Sequence, residues 1–375
     1  MSDRVLFCAE SVYQLFNAIV LRMTERKDQA CDIVLSNATA WQDDMILRLR
    51  ETGVFGSVFM PDTHIVEHRF WDWDLEKKLK AVEDPTLFFD DIPFEPVYQE
   101  LFFPIDHMFW KMIYRYEVVN GLRPRIMMYD EGVRAYTMDL PLTDQKKYLA
   151  IDSYKAAPFV KAIQAYYLYQ PDVYSVKDYS YELRQIPNPA QVPEAKKILL
   201  DVYGYERMPE EPYIYLEDFF FADAYITNDF DLFKQVVDLV GRENIIVKRH
   251  PRDKFDRFGP QGYKTVKQAV VPWEIQLLAN DLRSKVLISV SSTSILTPYI
   301  IFDSDMHVIS LEKMFVGENP THKDAAFSTF FKKLKTKINE KEIRFHTPSS
   351  FDELREVIRY ISLLQYNERG EAANG

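Results

Sequence analysis

Short apolar runs alternate with amphipathic stretches along most of this chain. Arg4–Ala9 is apolar enough for a buried strand. Beyond it, Val12, Leu15, Phe16, Ile19 and Val20 recur at helical spacing over Ser11–Met23, with Ser11 placed to cap the helix. Asp32–Ser36 predicts a second strand and Trp41–Glu51 a second amphipathic helix. Between Trp71 and Asn120 the spacing is helical, and Arg125–Tyr129 returns to strand just before Asp130-Glu131-Gly132. Strands alternating with helices predict parallel α/β sheets.

Pro187, Pro189, Pro193, Pro209 and Pro212 crowd one stretch, which reads as a hinge. Past it the alternation restarts. Strands are predicted at Tyr213–Leu216, Ile245–Lys248, Lys267–Val271, Lys285–Val290 and His307–Ser310, and helices at Asp229–Val240, Trp273–Ala279 and Ile295–Phe302. A last helix, Phe351–Leu364, opens after Ser349 or Ser350. The pattern therefore predicts a first domain over 1–190 and a second over 191–347. Residues 348–375 would supply a helix returning toward the first domain and a flexible tail. A length of 375 residues suits two domains.

Composition narrows the partners. The formal net charge is −11, whereas a nucleic-acid binder carries a basic excess to displace counterions, so nucleic acid is not the expected partner. Many of the 26 Phe, 23 Tyr and 5 Trp fall between Phe70 and Tyr181, which predicts a densely packed region or a binding surface there. Cys8 and Cys31 sit in or beside apolar strands and read as buried free thiols, too few for a disulfide framework or a zinc set. Glu10, Gln14 and Asn17 interrupt the apolar start, and no run approaches the ~18 apolar residues of a membrane span. The expected location is the cytoplasm, with peripheral contact at the inner face of the membrane left open by the aromatic-basic stretch Phe327–Lys337.

With 11 Gly, the chain contains neither a Gly-x-Gly dinucleotide fingerprint nor a P-loop, so a bound phosphate needs another cradle. Lys285–Thr297 offers one: an apolar strand runs into Ser291, Ser292, Thr293 and Ser294 with a helix expected directly behind, where hydroxyls and helical N–H groups suit a phosphate. An ordinary serine cap gives the same pattern. Ile245–Pro251 ends a strand in Lys248, Arg249, His250 and Pro251; the proline stops the strand and leaves a histidine able to donate to a leaving phosphate. Asp130-Glu131-Gly132 also follows a strand end, and one of two adjacent carboxylates, each raising the other's pKa, can serve as a base toward a sugar hydroxyl. Asp-x-Asp occurs at Asp72, Asp229 and Asp303, too often and too far from core strands to predict a metal site.

In their order these elements resemble the bacterial sialyltransferases marked by acidic-acidic-Gly, His-Pro and Ser-Ser motifs, those of glycosyltransferase family 52 and the related polysialyltransferases of family 38. Here the motifs read Asp130-Glu131-Gly132, His250-Pro251 and Ser291-Ser292. Ser11–Ala18 looks like that group's first strand-to-helix turn, and Pro272-Trp273-Glu274 like a segment between its second and third motifs. The resemblance implies a GT-B fold, two Rossmann-like domains facing across a cleft. It also implies inverting transfer of sialic acid from CMP-sialic acid to a galactoside or cell-surface oligosaccharide, with no metal and no cofactor, in capsule or lipooligosaccharide synthesis. Glu131 would be the base, supported by Asp130, and His250 would meet the leaving phosphate. Ser291 and Ser292 would bind that phosphate, with Pro251, Glu274 and Lys248 near the nucleotide and Gln14, Asn17 and Gly132 near the acceptor side. The acceptor could be lipid-linked, and nothing bears on oligomeric state. Two alternatives stay open: a capsule or exopolysaccharide transferase using another nucleotide sugar, and a nucleotide-sugar epimerase of the same fold.

Overall fold

In the computed structural model the described residues are 4–37, 40–89, 95–105, 107–137, 157–177, 179–205, 207–208, 210–250, 252–253, 255–266, 271–317 and 325–374. The chain divides into two units, Met1–Gly204 and Tyr205–Gly375, each built on its own parallel sheet.

The first unit contains β1 (Arg4–Ala9), α1 (Val12–Thr24), β2 (Cys31–Leu35), α2 (Asp43–Thr52), β3 (Val58–Phe59), α3 (Thr63–Asp72), α4 (Leu75–Glu83), β4 (Tyr98–Phe103), α5 (Met108–Val119), β5 (Arg125–Tyr129), α6 (Arg134–Thr137), α7 (Ala157–Ala162), β6 (Ile163–Leu168), β7 (Glu182–Gln185) and α8 (Pro193–Tyr203). Its strands lie in the order β3-β2-β1-β4-β5-β6-β7, every neighbour parallel. Val5 to Ala9 are buried throughout, as expected for strands covered on both faces. The aromatic region is packed: Phe88, Phe89 and Phe109 meet edge to face, with centroids 5.0 and 5.2 Å apart.

The second unit contains β8 (Tyr213–Leu216), α9 (Asp229–Val240), β9 (Ile245–Lys248), α10 (Trp273–Ala279), β10 (Val286–Ser289), α11 (Thr297–Phe302), β11 (His307–Ser310), α12 (Ala325–Ile338), β12 (Phe345–His346) and α13 (Phe351–Asn374). Its order is β12-β11-β10-β8-β9, again parallel throughout.

Several expectations change. The division follows Gly204 rather than residue 190, because α8 packs on α1 and α2; Tyr203 donates to the Val12 carbonyl at 2.7 Å and Arg48 to that of Val202 at 2.8 Å. The C-terminal helix belongs to the second unit, where Leu354, Ile358 and Ile361 of α13 join the core under β8 and α9. Strand β4 lies inside the stretch read as helical, since Tyr98 and Glu100 through Phe103 are all buried and leave no period-two signal. Most of the predicted strand Lys267–Val271 lies outside the described residues. Behind the serines the α-helix is delayed: a 3-10 turn spans Thr293–Ile295, and α11 has only six residues. Phe327, Phe330 and Leu334 of α12 are buried while Lys332 and Lys333 are exposed, so the aromatic half of the Phe327–Lys337 stretch packs inward. Among the described residues no helix is long and apolar enough to cross a membrane.

Strands β11 and β12 carry a buried histidine pair. Arg344 lies 3.0 Å from His307 Nε2, so that nitrogen accepts and His307 Nδ1 donates to His346 Nε2 at 3.2 Å. Burial, then Arg344, pushes His307 down to about 4; burial, then His307, Lys335 and Arg344, does the same to His346, also to about 4. The folded pKa values lie below the ordinary 6.5, so the unfolded chain binds more protons between those limits and stability is lost as pH falls from about 6.5 toward 4. Urea midpoints measured across this window should fall with pH, and His346→Gln should flatten the slope.

Candidate active site

In open parallel sheets ligands sit beyond the carboxyl ends of the strands, where the strand order reverses. In the first sheet the reversal lies between β1 and β4, and in the second between β8 and β10. Every described residue of the three sequence motifs follows the carboxyl end of a strand in its own unit.

Asp130 is fully buried and saturated. Its Oδ1 accepts from Tyr13 Oη at 3.0 Å and the Gly132 N–H at 2.8 Å, and its Oδ2 accepts from Tyr136 Oη at 2.6 Å. The Asp130 carbonyl accepts from Asn17 Nδ2 at 2.8 Å, and Asn17 Oδ1 in turn accepts from Tyr169 Oη at 2.8 Å. Gln14 spends its Oε1 on the Glu10 N–H at 2.7 Å. Gln14 and Asn17 are therefore buried scaffold around Asp130, which locks the β1–α1 turn to the end of β5. Gly132 has φ +115, a conformation other residues rarely adopt, and it lets the chain turn sharply behind Glu131.

Glu131 is only half-buried and has a different fate. Its Oε1 is enclosed without a hydrogen-bond partner. Burial, together with Asp130 and Glu10 and against Arg134, pushes its carboxyl up to about 7. Burial also raises Asp130 to about 6, but there the bonds from Tyr136, Gly132 and Tyr13 oppose it. Mutual repulsion of the two acids, the cause the sequence suggested, is thus secondary to desolvation at Glu131. At the sheet's switch point His107 Nδ1 meets Glu10 Oε1 at 2.9 Å, which adds a second acid and an imidazole to this edge. Neither residue carries a motif signal; only the strand order brings them in.

In the second unit the hub is Glu217-Asp218, directly after β8. Asp218 Oδ1 accepts from Ser291 Oγ at 2.9 Å and Oδ2 from Ser289 Oγ at 2.8 Å and the Ser291 N–H at 3.2 Å. Burial raises Asp218 to about 6 against those bonds. The Ser291 hydroxyl, expected to face a phosphate, is thus engaged across the switch point. Ser292 Oγ accepts from the Ser294 N–H at 3.4 Å and its N–H donates to Ser289 Oγ at 3.2 Å. Beside them lies a shallow surface depression lined by Ser291, Ser292, Thr293, Ser310, Glu312, Phe327 and Phe331 among others.

Glu217 receives the His250 N–H at 3.0 Å and Arg257 Nε at 2.8 Å, which holds the end of β9 against β8. Burial, then Arg252 and Lys248, pushes His250 down to about 4, well under the ordinary value near 6.5. The ring is neutral near pH 7. Its Nδ1 accepts from the Arg252 N–H at 3.3 Å, so the proton sits on Nε2, which is a donor. A phosphate arriving there would raise the pKa again. Burial lowers Lys248, with Glu274 opposing; Lys248 Nζ stands 5.8 Å from the Trp273 ring centre, and Trp273 Nε1 donates to the Ser294 carbonyl at 3.1 Å. Lys248, His250, Glu274, Ser291 and Ser292 therefore share one edge of the second sheet, while Pro251 lies outside the described residues.

The Asp-x-Asp pairs have structural duties. Asp74 caps α4 through the Lys77 N–H at 2.8 Å, Asp229 pairs with Arg257, and Asp303 ends α11 in the left-handed region. Among the described residues no three His, Cys, Asp or Glu side chains are grouped to hold a metal ion.

No protein-family model matches the chain, and no curated protein does either. Solved structures match its fold. The GT-B domain of a sialyltransferase from Photobacterium damselae is 12% identical over 92% of this chain and 99% of that one, with a TM-score of 0.50. A UDP-GlcNAc 2-epimerase from Methanocaldococcus jannaschii is 12% identical over 95% and 99%, with a TM-score of 0.46. The glycosyltransferase SnogD from Streptomyces nogalater is 10% identical over 96% and 99%, with a TM-score of 0.45. At such identities the likeness is one of fold, and the fold is GT-B: two Rossmann-like domains, each on a parallel sheet.

The two motif acids should separate on substitution. Asp130→Ala strands two tyrosine hydroxyls and an N–H and should cost roughly 2–4 kcal/mol in urea unfolding. Glu131→Gln, which breaks no bond of Oε1, should stay within about 0.5 kcal/mol of the parent.

Proposed function

We propose that this chain is an inverting, metal-independent glycosyltransferase that moves sialic acid from CMP-sialic acid to a hydroxyl of a glycan acceptor. The observation that carries the chemistry is Glu131, a carboxyl pushed to about 7 at a strand's carboxyl end with one oxygen unspent, beside an aspartate whose oxygens are all engaged. A base titrating near the working pH combines a useful ionised fraction with enough basicity to take a hydroxyl proton.

In the proposed step the acceptor O–H proton passes to Glu131. The oxygen forms a bond to the anomeric carbon as the bond from that carbon to the phosphate oxygen breaks. The electron pair leaves with the nucleotide phosphate. On the donor side, the neutral His250 supplies Nε2–H to the departing oxygen, while Ser292 and the partly desolvated Lys248 stand along the same sheet edge. Growing negative charge on the phosphate draws the imidazole toward protonation, so His250 stabilises the leaving group without needing to be cationic beforehand. Sialic acid as the transferred sugar is supported by the order of the three motifs, and the GT-B fold is one that a sialyltransferase shares.

Glu131→Gln should lower turnover with CMP-sialic acid by about 10²–10⁴-fold while leaving the CMP-induced rise in Tm intact. Full turnover in that variant overturns the base assignment. CMP should raise Tm more than uridine or guanosine diphosphate does; the reverse order would replace the donor while leaving the reaction class standing.

A further inference from the structure

The depression beside the serine turn of the second unit is lined by two kinds of chemistry. Ile295, Leu296, Phe327 and Phe331 make its apolar part, and Ser292 and Glu312 belong to its polar part. Ile295, Leu296 and Phe327 are buried, while Phe331 is half-buried. The Phe327 and Phe331 rings stack with centroids 6.1 Å apart, and Phe331 meets Phe345 of β12 edge-on at 5.3 Å. The Phe331 ring is therefore held from two sides.

Glu312 is brought to the serines by the sheet itself. Strands β10 and β11 are parallel neighbours, with Ser289 in register with Ser310. Past that pair the Leu311 N–H donates to the Ser289 carbonyl at 2.9 Å and Ser310 Oγ to the Val290 carbonyl at 3.1 Å. The two strand ends are thus tied together just before Ser291 and Glu312.

The depression is shallow, with room for a methyl-sized group and not for a sugar ring. Its lining suits a ligand that carries a small apolar group with a hydrogen-bond donor beside it. An acetamido substituent has both, a methyl and an adjacent N–H. A hydroxyl in the same place has the donor without the methyl. A carboxylate on the ligand would be repelled by Glu312, so the acid group of an anionic sugar belongs elsewhere.

We propose that this depression is the subsite for the N-acetyl group of the donor sugar. The methyl enters the recess against Phe331 and Leu296, and Glu312 accepts the amide N–H. A carboxylate has acceptor capacity for more than one donor, so this bond does not require Glu312 to be otherwise unengaged. The proposal rests on the reading of the serine turn as the phosphate side of a nucleotide-sugar site. It deepens that reading by naming the part of the sugar that the second unit selects.

The test is calorimetric binding to the full chain of CMP and of three inert 3-fluoro CMP-sialic acids: the N-acetyl compound, the N-butanoyl compound, and one with a hydroxyl in place of the acetamido group. The parent should bind the N-acetyl compound about 10-fold more tightly than either of the others. Phe331→Ala opens the recess and should reverse the order of the two acyl compounds, with Phe331→Leu between. Glu312→Ala should bring the N-acetyl compound down toward the hydroxyl compound. Affinity for CMP alone should hold in every variant, because the nucleotide does not enter the recess. A parent that does not distinguish the compounds overturns the proposal. So does an acyl order unchanged in both Phe331 variants, a Glu312→Ala without effect, or a loss of CMP affinity equal to the loss for the sugars. If the parent binds uridine nucleotides and no CMP compound, the reading of the donor fails instead. The subsite is then decided by UDP-GlcNAc against UDP-glucose in the same variants, since that pair differs by the same acetamido-for-hydroxyl exchange. A parent that binds none of these ligands overturns both.

Discussion

The buried carboxylate of Asp130 is the constraint on which the first unit's site depends. It collects a hydroxyl from α1, a hydroxyl from α6 and an N–H from its own turn, while its carbonyl is tied through Asn17 to Tyr169 just past β6. Tyr136 extends the network by accepting the Tyr169 and Gln170 N–H groups at 3.1 and 3.2 Å. Four chain segments are thus held around one side chain. A carboxylate suits this because every group aimed at it is a donor; an amide would turn one N–H₂ toward another donor and leave both unpaired. Because Asp130 cannot move, the next residue is displayed at a fixed place.

The second unit repeats the device with other residues. Asp218, one strand end later in the fold's logic, gathers two serine hydroxyls and an N–H across the point where the strand order reverses. Its neighbour Glu217 holds the backbone of His250 and the guanidinium of Arg257. In both units adjacent acids follow a buried strand, yet the pairs are used differently. At Asp130-Glu131 one acid is structural and the other is left available. At Glu217-Asp218 both are spent on pinning the loops that carry His250 and the serines.

Much of this was legible in the sequence, and the gaps have physical reasons. Strands β1, β2, β5, β8, β9, β10 and β11 stand out as apolar runs, and the alternation with helices gives the parallel sheets. Strands β4 and β6 do not, because YQELFF and IQAYYL bury nearly every residue and lose the period-two signature. The motif acids, His250 and the serines were visible because each closes an apolar run. Their partners were not: Tyr13, Tyr136 and Tyr169 reach Asp130 from three other segments, and 23 tyrosines give no means of choosing them beforehand. Glu217-Asp218 could have been found, since two acids after Tyr213–Leu216 repeat the pattern that singled out Asp130-Glu131. The depth of His250 could not, because desolvation depends on tertiary packing around the end of β9, which no local pattern of residues encodes.

Why the second acid of the pair and not the first is proposed as the base follows from reach and solvation together. Asp130 lies in the plane of the sheet end, fully buried, with its short side chain met by donors on both oxygens. Taking up a proton there would cost the Tyr136 and Tyr13 bonds, so its basicity is consumed by the scaffold. Glu131 is one methylene longer, lies past the strand and is raised to about 7 by burial rather than held down by donors. A carboxylate kept dry but not fully hydrogen-bonded is a stronger base than one in water. It gains that strength only if something else holds the surrounding backbone rigid, which is the work Asp130 performs.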